Sequence, residues 1–298
     1  MAQGSRHVPV LLQIAIRMLN VRRGGTYVDA TLGLAGHASE VARRLGPEGR
    51  LIGVDRDPEA LALGRQRLEA LRQELGPEMP EVVLHDVEFS QMGEVLKGKK
   101  VDGLLADFGV SSLQFDEAHR GFSFQADGPL DMRMNPRTGE TAEQVVNHMG
   151  ENELANVIYE FGEERRSRRI ARAIARARPV TTTAQLARIV AAAAPAMKQE
   201  RIHPATRTFQ ALRIYVNGEL SEIEALLQLA PEVVKPGGRL VAISFHSLED
   251  RRVKDALREG ARQGIWEVLT RKPMTAEAEE TDRNPRARSA KLRAAERK

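Results

Sequence analysis

The first chemical signal in this chain of 298 residues is a carboxylate leading a run of small residues, Asp29-Ala-Thr-Leu-Gly33-Leu-Ala35-Gly36-His37. The run follows a short apolar segment, Thr26-Tyr-Val-Asp-Ala30, and opens a helical pattern that reaches Leu45. A turn in that place offers backbone N–H groups and a helix N-terminus to a ligand. Its spacing is acidic-x-Gly-x-Gly-x-Gly, with Thr31 and Ala35 in place of the outer glycines, and it is not Gly-x-Gly-x-x-Gly. A second carboxylate, Asp55, ends the apolar segment Arg50-Leu-Ile-Gly-Val-Asp55, 22 residues after Gly33. From there a carboxylate accepts both ribose hydroxyls of a nucleoside. The leading Asp29 decides between cofactors by charge. It repels pyrophosphate and attracts the amino and sulfonium groups of S-adenosylmethionine, so the turn favours the methyl donor over NAD. No Gly-Lys-Ser/Thr is present, which excludes a phosphate-gripping P-loop. Ala35 is expected at negative φ, since a side chain disfavours the left-handed region.

The elements that must hold these residues alternate. A helix over Pro9–Asn20 precedes strands at Thr26–Ala30 and Arg50–Asp55, and Asp57 is placed to cap a helix from Pro58 to Leu71. Strands at Val82–His85 and Val101–Ala106 follow, separated by a helix at Met92–Leu96. Buried strands alternating with helices predict a parallel α/β sheet. From Asp116 to Arg213 only helices are legible, over 142–149, 151–159, 163–178, 183–194 and 203–216, so this block is expected to be an inserted all-helical domain. The α/β pattern resumes with a helix over Leu220–Val234, a turn Lys235-Pro-Gly-Gly238 and a strand Arg239–Ser244. The expected domains are therefore 1–115 and 214–298 for the core and 116–213 for the insertion. Residues 275–284 read as a mobile loop before Arg286–Arg293 returns as a strand or arm.

Composition narrows the field. The chain has no cysteine, which removes disulfides, thiolate metal sites and any cysteine nucleophile. Hydrophobic residues make up 42%, so a folded protein is expected, and neither a signal peptide nor a membrane span is legible. Net charge is 45 − 41 = +4, and only nine of the 45 basic residues are lysine. The arginines cluster. Residues 165–178 hold seven arginines and no acid, while Ile170, Ala173, Ile174 and Ala177 form an apolar stripe at helical spacing. This pattern points to a phosphate-binding face, extended by Arg201, His203, Arg207, Arg213 and the Arg286–Arg293 arm.

Nine strings together carry a resemblance. They are His7-Val-Pro-Val-Leu-Leu, the Asp29–His37 turn, Asp55-Arg-Asp-Pro58, Asp107-Phe-Gly-Val-Ser-Ser112, Arg120-Gly-Phe-Ser-Phe124, Gly128-Pro-Leu-Asp-Met-Arg-Met134, His203-Pro-Ala-Thr-Arg-Thr-Phe-Gln-Ala211, Ser244-Phe-His-Ser-Leu-Glu-Asp250 and Asn284-Pro-Arg-Ala-Arg-Ser289. In this order, and over nearly the whole chain, they resemble the bacterial 16S ribosomal RNA cytosine-N4 methyltransferases. The resemblance implies an α/β fold: a class I, Rossmann-like, S-adenosylmethionine-dependent methyltransferase core with a helical insertion. It also implies a cytoplasmic enzyme that methylates N4 of a cytidine in the decoding region of 16S rRNA, within the small ribosomal subunit. By matching position it places the cofactor against Ala35, Gly36 and His37, the ribose on Asp55, the adenine near Phe89, and the methionine side along Asp107 and Gln114. The glycine pair expected before His37 is Ala35-Gly36 in this chain.

The residues bear on that chemistry independently. Carbon-5 methylation of cytosine usually relies on a cysteine adduct, and this chain has no cysteine. N4 needs no adduct but does need a hydrogen-bond acceptor that lines it up with the sulfonium methyl. Asp107 stands at the end of the fourth strand without the Asp/Asn-Pro-Pro-aromatic motif of many amino-methyltransferases. Either Asp107 or a backbone carbonyl beside it is the expected acceptor, with Phe108 as a stacking candidate, and Asp107 serves equally well as a methionine contact. His246 follows the fifth strand, where a catalytic role competes with a helix-capping or packing role, and Ser247 with Asp250 forms a near capping box. Asp131 and Arg133 suit an ion pair or substrate contacts. His37 and His246 lack partners at metal-ligand spacing. The insertion is expected to clamp RNA with the target cytidine splayed out. Two other classes fit less well: a catalytically silent RNA-binding assembly factor that keeps the nucleoside pocket, and a nicotinamide oxidoreductase.

Overall fold

The computed structural model describes residues 9–195 and 202–298. The chain divides into two compact units, Met1–Gly109 with Leu220–Lys298 and Val110–Glu219. These divisions fall six residues from the expected 115/116 and 213/214.

The first unit holds seven strands: β1 (Thr26–Asp29), β2 (Arg50–Asp55), β3 (Glu81–Asp86), β4 (Val101–Asp107), β5 (Val234–Ser244), β6 (Trp266–Val268) and β7 (Lys291–Arg297). Their order is β3-β2-β1-β4-β5-β7-β6. The five strands from β3 to β5 are parallel, and β7 inserts antiparallel between β5 and β6. This is the Rossmann-like α/β arrangement, with β1 and β4 flanking the point where strand order reverses and ligands collect at the carboxyl ends. Helices α1 (Leu12–Leu19), α2 (Gly36–Leu45) and α3 (Pro58–Leu75) share an apolar core with the sheet through Leu11, Leu19, Leu45, Leu68, Leu105 and Ile243. Asp57 caps α3 as expected, its Oδ1 accepting the Glu59 and Ala60 N–H groups at 3.0 and 3.4 Å. The remaining helices of this unit are α4 (Met92–Leu96), α11 (Glu219–Val233, which begins at the division), α12 (Ser247–Arg262) and α13 (Ala278–Arg283).

Several expectations are corrected here. The turn Lys235–Gly238 is a bulge inside β5: from Val101↔Val234 to Gly103↔Arg239, β4 advances two residues and β5 five. Residues 275–284 contain the helix α13. The strand of the C-terminal arm is Lys291–Arg297. In it Arg293 is 7% exposed, with its guanidinium on Asp250 at 2.7 and 3.2 Å, so it is withdrawn from any basic surface.

The second unit is helical: α5 (Ser112–Asp116), α6 (Ala142–His148), α7 (Glu151–Gly162), α8 (Ser167–Ala177), α9 (Thr183–Ala193) and α10 (Thr206–Val216). Leu154, Ile158, Ile170, Ile174, Leu186 and Phe209 form its core. Asp131 and Arg133 are a two-pronged ion pair with both contacts at 2.8 Å. Asn217, which no sequence motif singled out, fastens the same segment by accepting the Met134 N–H and donating to the Met132 carbonyl, each at 2.7 Å. Among the described residues, no helix is long and apolar enough to cross a membrane.

Arg293 and Asp250 are nearly buried, so removing one leaves the other uncompensated. Arg293→Met is expected to lower urea-unfolding stability by about 3 kcal/mol, the low end for a broken buried pair, because Lys291 Nζ remains 3.8 Å from Asp250. Adding Asp250→Leu should recover part of that loss, and two strictly additive losses would refute the pairing.

Candidate active site at the carboxyl ends of the parallel strands

Sheet register brings the acids together. Asp29 pairs with Gly53 on β2 and Leu105 on β4, so Asp55 and Asp107 stand two residues further along on either side. Asp29 is 2% exposed, and its Oδ1 accepts the Thr31 N–H at 3.2 Å. Asp55 accepts the Gly33 N–H on Oδ2 at 2.7 Å and the Asp57 N–H on Oδ1 at 2.9 Å, leaving each oxygen one further acceptor direction. Asp107 donates its N–H to Thr31 Oγ1 at 2.7 Å, which ties the turn after β1 to the end of β4. Its Oδ1 is buried with no hydrogen-bond partner among the described residues, and its Oδ2 lies 3.8 Å from His37 Nδ1.

Crowding and burial shift these acids upward. Desolvation, with Asp55 adding repulsion, raises Asp29 to about 7. Burial raises Asp55 to about 6, although the Asp57 and Gly33 N–H groups oppose it. Burial, then the charges of Asp29 and Glu249, hold Asp107 well above the usual carboxylate range. A cluster of acids with this little compensation suits a cation.

The turn departs from expectation at Ala35, which is left-handed with φ 55° and ψ 34°, as is Gly33 at φ 49°. A left-handed alanine costs about 1–2 kcal/mol. It is held by the fully buried methyl, by its N–H donating to the Leu32 carbonyl at 2.7 Å, and by its carbonyl accepting the Ser39 N–H and hydroxyl at 3.0 and 2.6 Å. Gly36 is glycine for a separate reason: a Cβ there would lie 2.2 Å from Pro9 Cγ. His37 is 6% exposed, and its Nε2 donates to the Val10 carbonyl at 3.1 Å.

Phe89 lies three residues beyond β3, and its ring meets Phe108 edge-on with centroids 6.1 Å apart. Phe108 is 3% exposed and so is not presented for stacking on a base. Gln114 lies in α5 of the helical unit, where its Oε1 accepts the Ser111 N–H at 2.9 Å. His246 is the N-cap of α12: its Nδ1 accepts the Glu249 N–H at 3.5 Å, and Glu249 Oε2 accepts the Phe245 and His246 N–H groups at 2.7 and 3.3 Å. The capping box is thus His246 with Glu249, not Ser247 with Asp250, whose carboxylate serves Arg293. Glu249, fully buried and acting on Asp107, and Thr31 are the site residues that sequence reasoning passed over. An acid three residues after His246 was the available signal.

The sequence pattern of the MraW methylase family matches residues 4–298. The chain belongs to that family. A protein named Ribosomal RNA small subunit methyltransferase H from Acidobacterium capsulatum is 77% identical over 98% of this chain and 99% of its own length. A protein of the same name from Koribacter versatilis is 61% identical over 98% of this chain and 94% of its own. A solved structure from Clostridium thermocellum, itself described only as a candidate rRNA methylase, matches with a TM-score of 0.50 at 14% identity, spanning 99% of this chain and 100% of that one. That likeness concerns the fold alone. The acid cluster of this MraW methylase suits S-adenosylmethionine, whose sulfonium and amino groups are positive, and Asp107 Oδ1 is a buried acceptor suited to such a donor group.

Free carboxylates titrate near pH 4. Asp29 and Asp55 therefore bind more protons folded than unfolded between about pH 4 and 7, and donor-free stability should fall as pH rises through that window. Asp29→Asn is expected to gain stability relative to wild type over the same window and to level off above it. Urea midpoints that run parallel for the two proteins from pH 4 to 8 would refute this.

Proposed function

We propose that this methylase transfers the methyl group of S-adenosylmethionine to N4 of a cytidine in the decoding region of 16S rRNA, acting in the cytoplasm on the small ribosomal subunit. One observation carries the proposal: the likeness to proteins named Ribosomal RNA small subunit methyltransferase H runs the length of the chain at up to 77% identity. The same names disfavour a catalytically silent assembly factor.

When bound, S-adenosylmethionine supplies an electrophilic methyl on a positively charged sulfur. Ala35, Gly36 and His37 would form the wall of its site, Asp55 would accept the ribose hydroxyls, Phe89 would lie beside the adenine, and Asp107 would serve the methionine portion. The lone pair of cytosine N4 is delocalised into the ring, so an acceptor for an N4–H is needed to raise its nucleophilicity. Asp107 Oδ1 is suited to that task and to holding the proton that N4 sheds, because burial beside Asp29 and Glu249 raises its proton affinity. His246 keeps the helix cap that positions Glu249 rather than a proton-transfer role.

The RNA contact is assigned to the exposed face of α8. Of seven arginines in 165–178, Arg166 is committed to Glu164 and the Pro195 carbonyl, and Arg178 to the Val146 and Met149 carbonyls. Arg165, Arg168, Arg169, Arg172 and Arg176 are exposed, opposite the buried Ile170, Ala171 and Ile174. Elsewhere the expected surface contracts. Arg213 is tied to Glu219 at 2.8 and 2.9 Å, His203 stacks on Phe124 with centroids 4.7 Å apart, and Arg201 lies outside the described residues.

Incubating unmodified small subunits with labelled donor should place label on cytidine N4 of 16S rRNA, read by nucleoside mapping; label on carbon 5 or on protein would overturn the assignment. Replacing Arg168, Arg172 and Arg176 with glutamine is expected to weaken RNA binding and to flatten the slope of log affinity against log salt by about 2, at roughly 0.7 per lost single-strand phosphate contact. An unchanged slope would remove α8 from the interface.

A further inference from the structure

Glu280, on α13, reaches back 269 residues, and its Oε1 accepts the Leu11 N–H at 2.6 Å. Leu11 is fully buried and left-handed, with φ 54° and ψ 28°, and it stands as the N-cap of α1 without a side-chain cap of its own. A buried leucine does not adopt that conformation unless its surroundings hold it there. The two residues before Leu11 touch the turn that follows β1. The Val10 carbonyl accepts a hydrogen bond from His37 Nε2 at 3.1 Å, and the Pro9 ring lies so close to Gly36 that no side chain fits there. A carbonyl oxygen only accepts, so the Val10 contact fixes the His37 proton on Nε2 and turns Nδ1 toward Asp107 Oδ2, 3.8 Å away. One chain of contacts thus runs from α13 through the backbone of residues 9–11 to a histidine and a glycine in the turn.

We infer that Glu280 is a positioning residue for the methyl-donor site: by accepting the Leu11 N–H it holds residues 9–11 against Gly36 and sets the His37 tautomer. The inference rests on the proposed placement of the donor at this turn. Glu280 touches neither donor nor RNA in this scheme and acts only through the strap of residues 9–11. Its carboxylate at the N-terminus of α1 also complements the positive end of that helix. Glutamine at this position keeps a carbonyl oxygen as acceptor, whereas alanine removes it.

The test compares Glu280→Ala and Glu280→Gln in the full chain by two measurements. The first is the ¹⁵N–¹H ring correlation of His37 in the donor-free protein, which reports its tautomer. The second is calorimetric affinity for S-adenosylmethionine and its demethylated product, followed by the donor KM and kcat on small subunits. Glu280→Ala should move the His37 ring signals away from the pure Nε2-protonated pattern, weaken donor binding about tenfold and raise donor KM with kcat little changed. Glu280→Gln should restore both readouts to within about twofold of wild type. An alanine variant with the wild-type His37 pattern and wild-type affinity overturns the positioning role, as does a glutamine variant as impaired as alanine. A wild-type protein giving no heat with either donor form overturns the placement of the donor instead, and the His37 spectrum still reports on the strap in that case.

Discussion

Burial of acids at the ends of neighbouring strands, with their mutual repulsion added to it, organises this molecule. Asp55, Asp29 and Asp107 end β2, β1 and β4, which are adjacent, so parallel pairing forces the carboxylates together, and Glu249 adds its charge from the start of α12. The turn after β1 is built to contain them. Its N–H groups at Thr31 and Gly33 point at Asp29 and Asp55, and the Thr31 hydroxyl takes the Asp107 N–H. These hydrogen bonds oppose the upward shifts without abolishing them, because burial is the larger effect at each acid. The donor-free fold therefore holds carboxylates whose proton affinity is raised, and a cationic ligand is the natural means of favouring their charged form. Affinity for the cation and stability of the empty site oppose each other here, as is common where function requires a strained environment.

The left-handed residues belong to the same constraint. Along the bend whose N–H groups face Asp29 and Asp55, φ is positive at Gly33 and again at Ala35. Glycine adopts that conformation freely, whereas alanine adopts it only with its methyl fully enclosed and both ends of its peptide bonded. Leu11 meets the same condition in the segment that covers Gly36. Two side chains in a disfavoured backbone region, on either side of one glycine that has no room for a Cβ, mark where packing from outside the turn fixes its shape.

What the sequence made legible follows from the range of the interactions involved. The parallel strands, the Asp57 cap and the placement of Asp55 depend on neighbours a few residues away, and the structure has them where patterning predicts. The sign of φ at Ala35 was misjudged because residue type alone argues against it, while the compensating burial is tertiary. The helix-capping role open to His246 is the one it takes, but the box is not legible as His246 with Glu249 because histidine stands outside the usual Ser, Thr, Asp and Asn set, although Glu249 sits at the reciprocal position. Residues 275–284 show no apolar period because α13 is six residues long with no buried residue, and its Glu280 finds its partner in Leu11 at the far end of the chain. Arg293 looked like part of a basic arm until Asp250, 43 residues away, claimed it.

Arginine shows the same division between composition and surface. A formal net charge of +4 says little about nucleic acid, and a local count of seven arginines says more than the surface supports. Arg166 and Arg178 lie at the two ends of α8, where backbone carbonyls and the 2%-exposed Glu164 are within reach, and both are consumed by the fold. Arg213 and Arg293 are lost to buried carboxylates in the same way. Arg172 also has an acid nearby, Glu151 at 3.4 Å, but both side chains are largely exposed, and a surface pair of that kind contributes at most about 1 kcal/mol. A phosphate competes with it readily. The charge that counts toward a polyanion is therefore what remains after buried partners are subtracted and solvated ones are not, and on α8 that remainder lies along one face of a helix whose opposite face is the core of its unit.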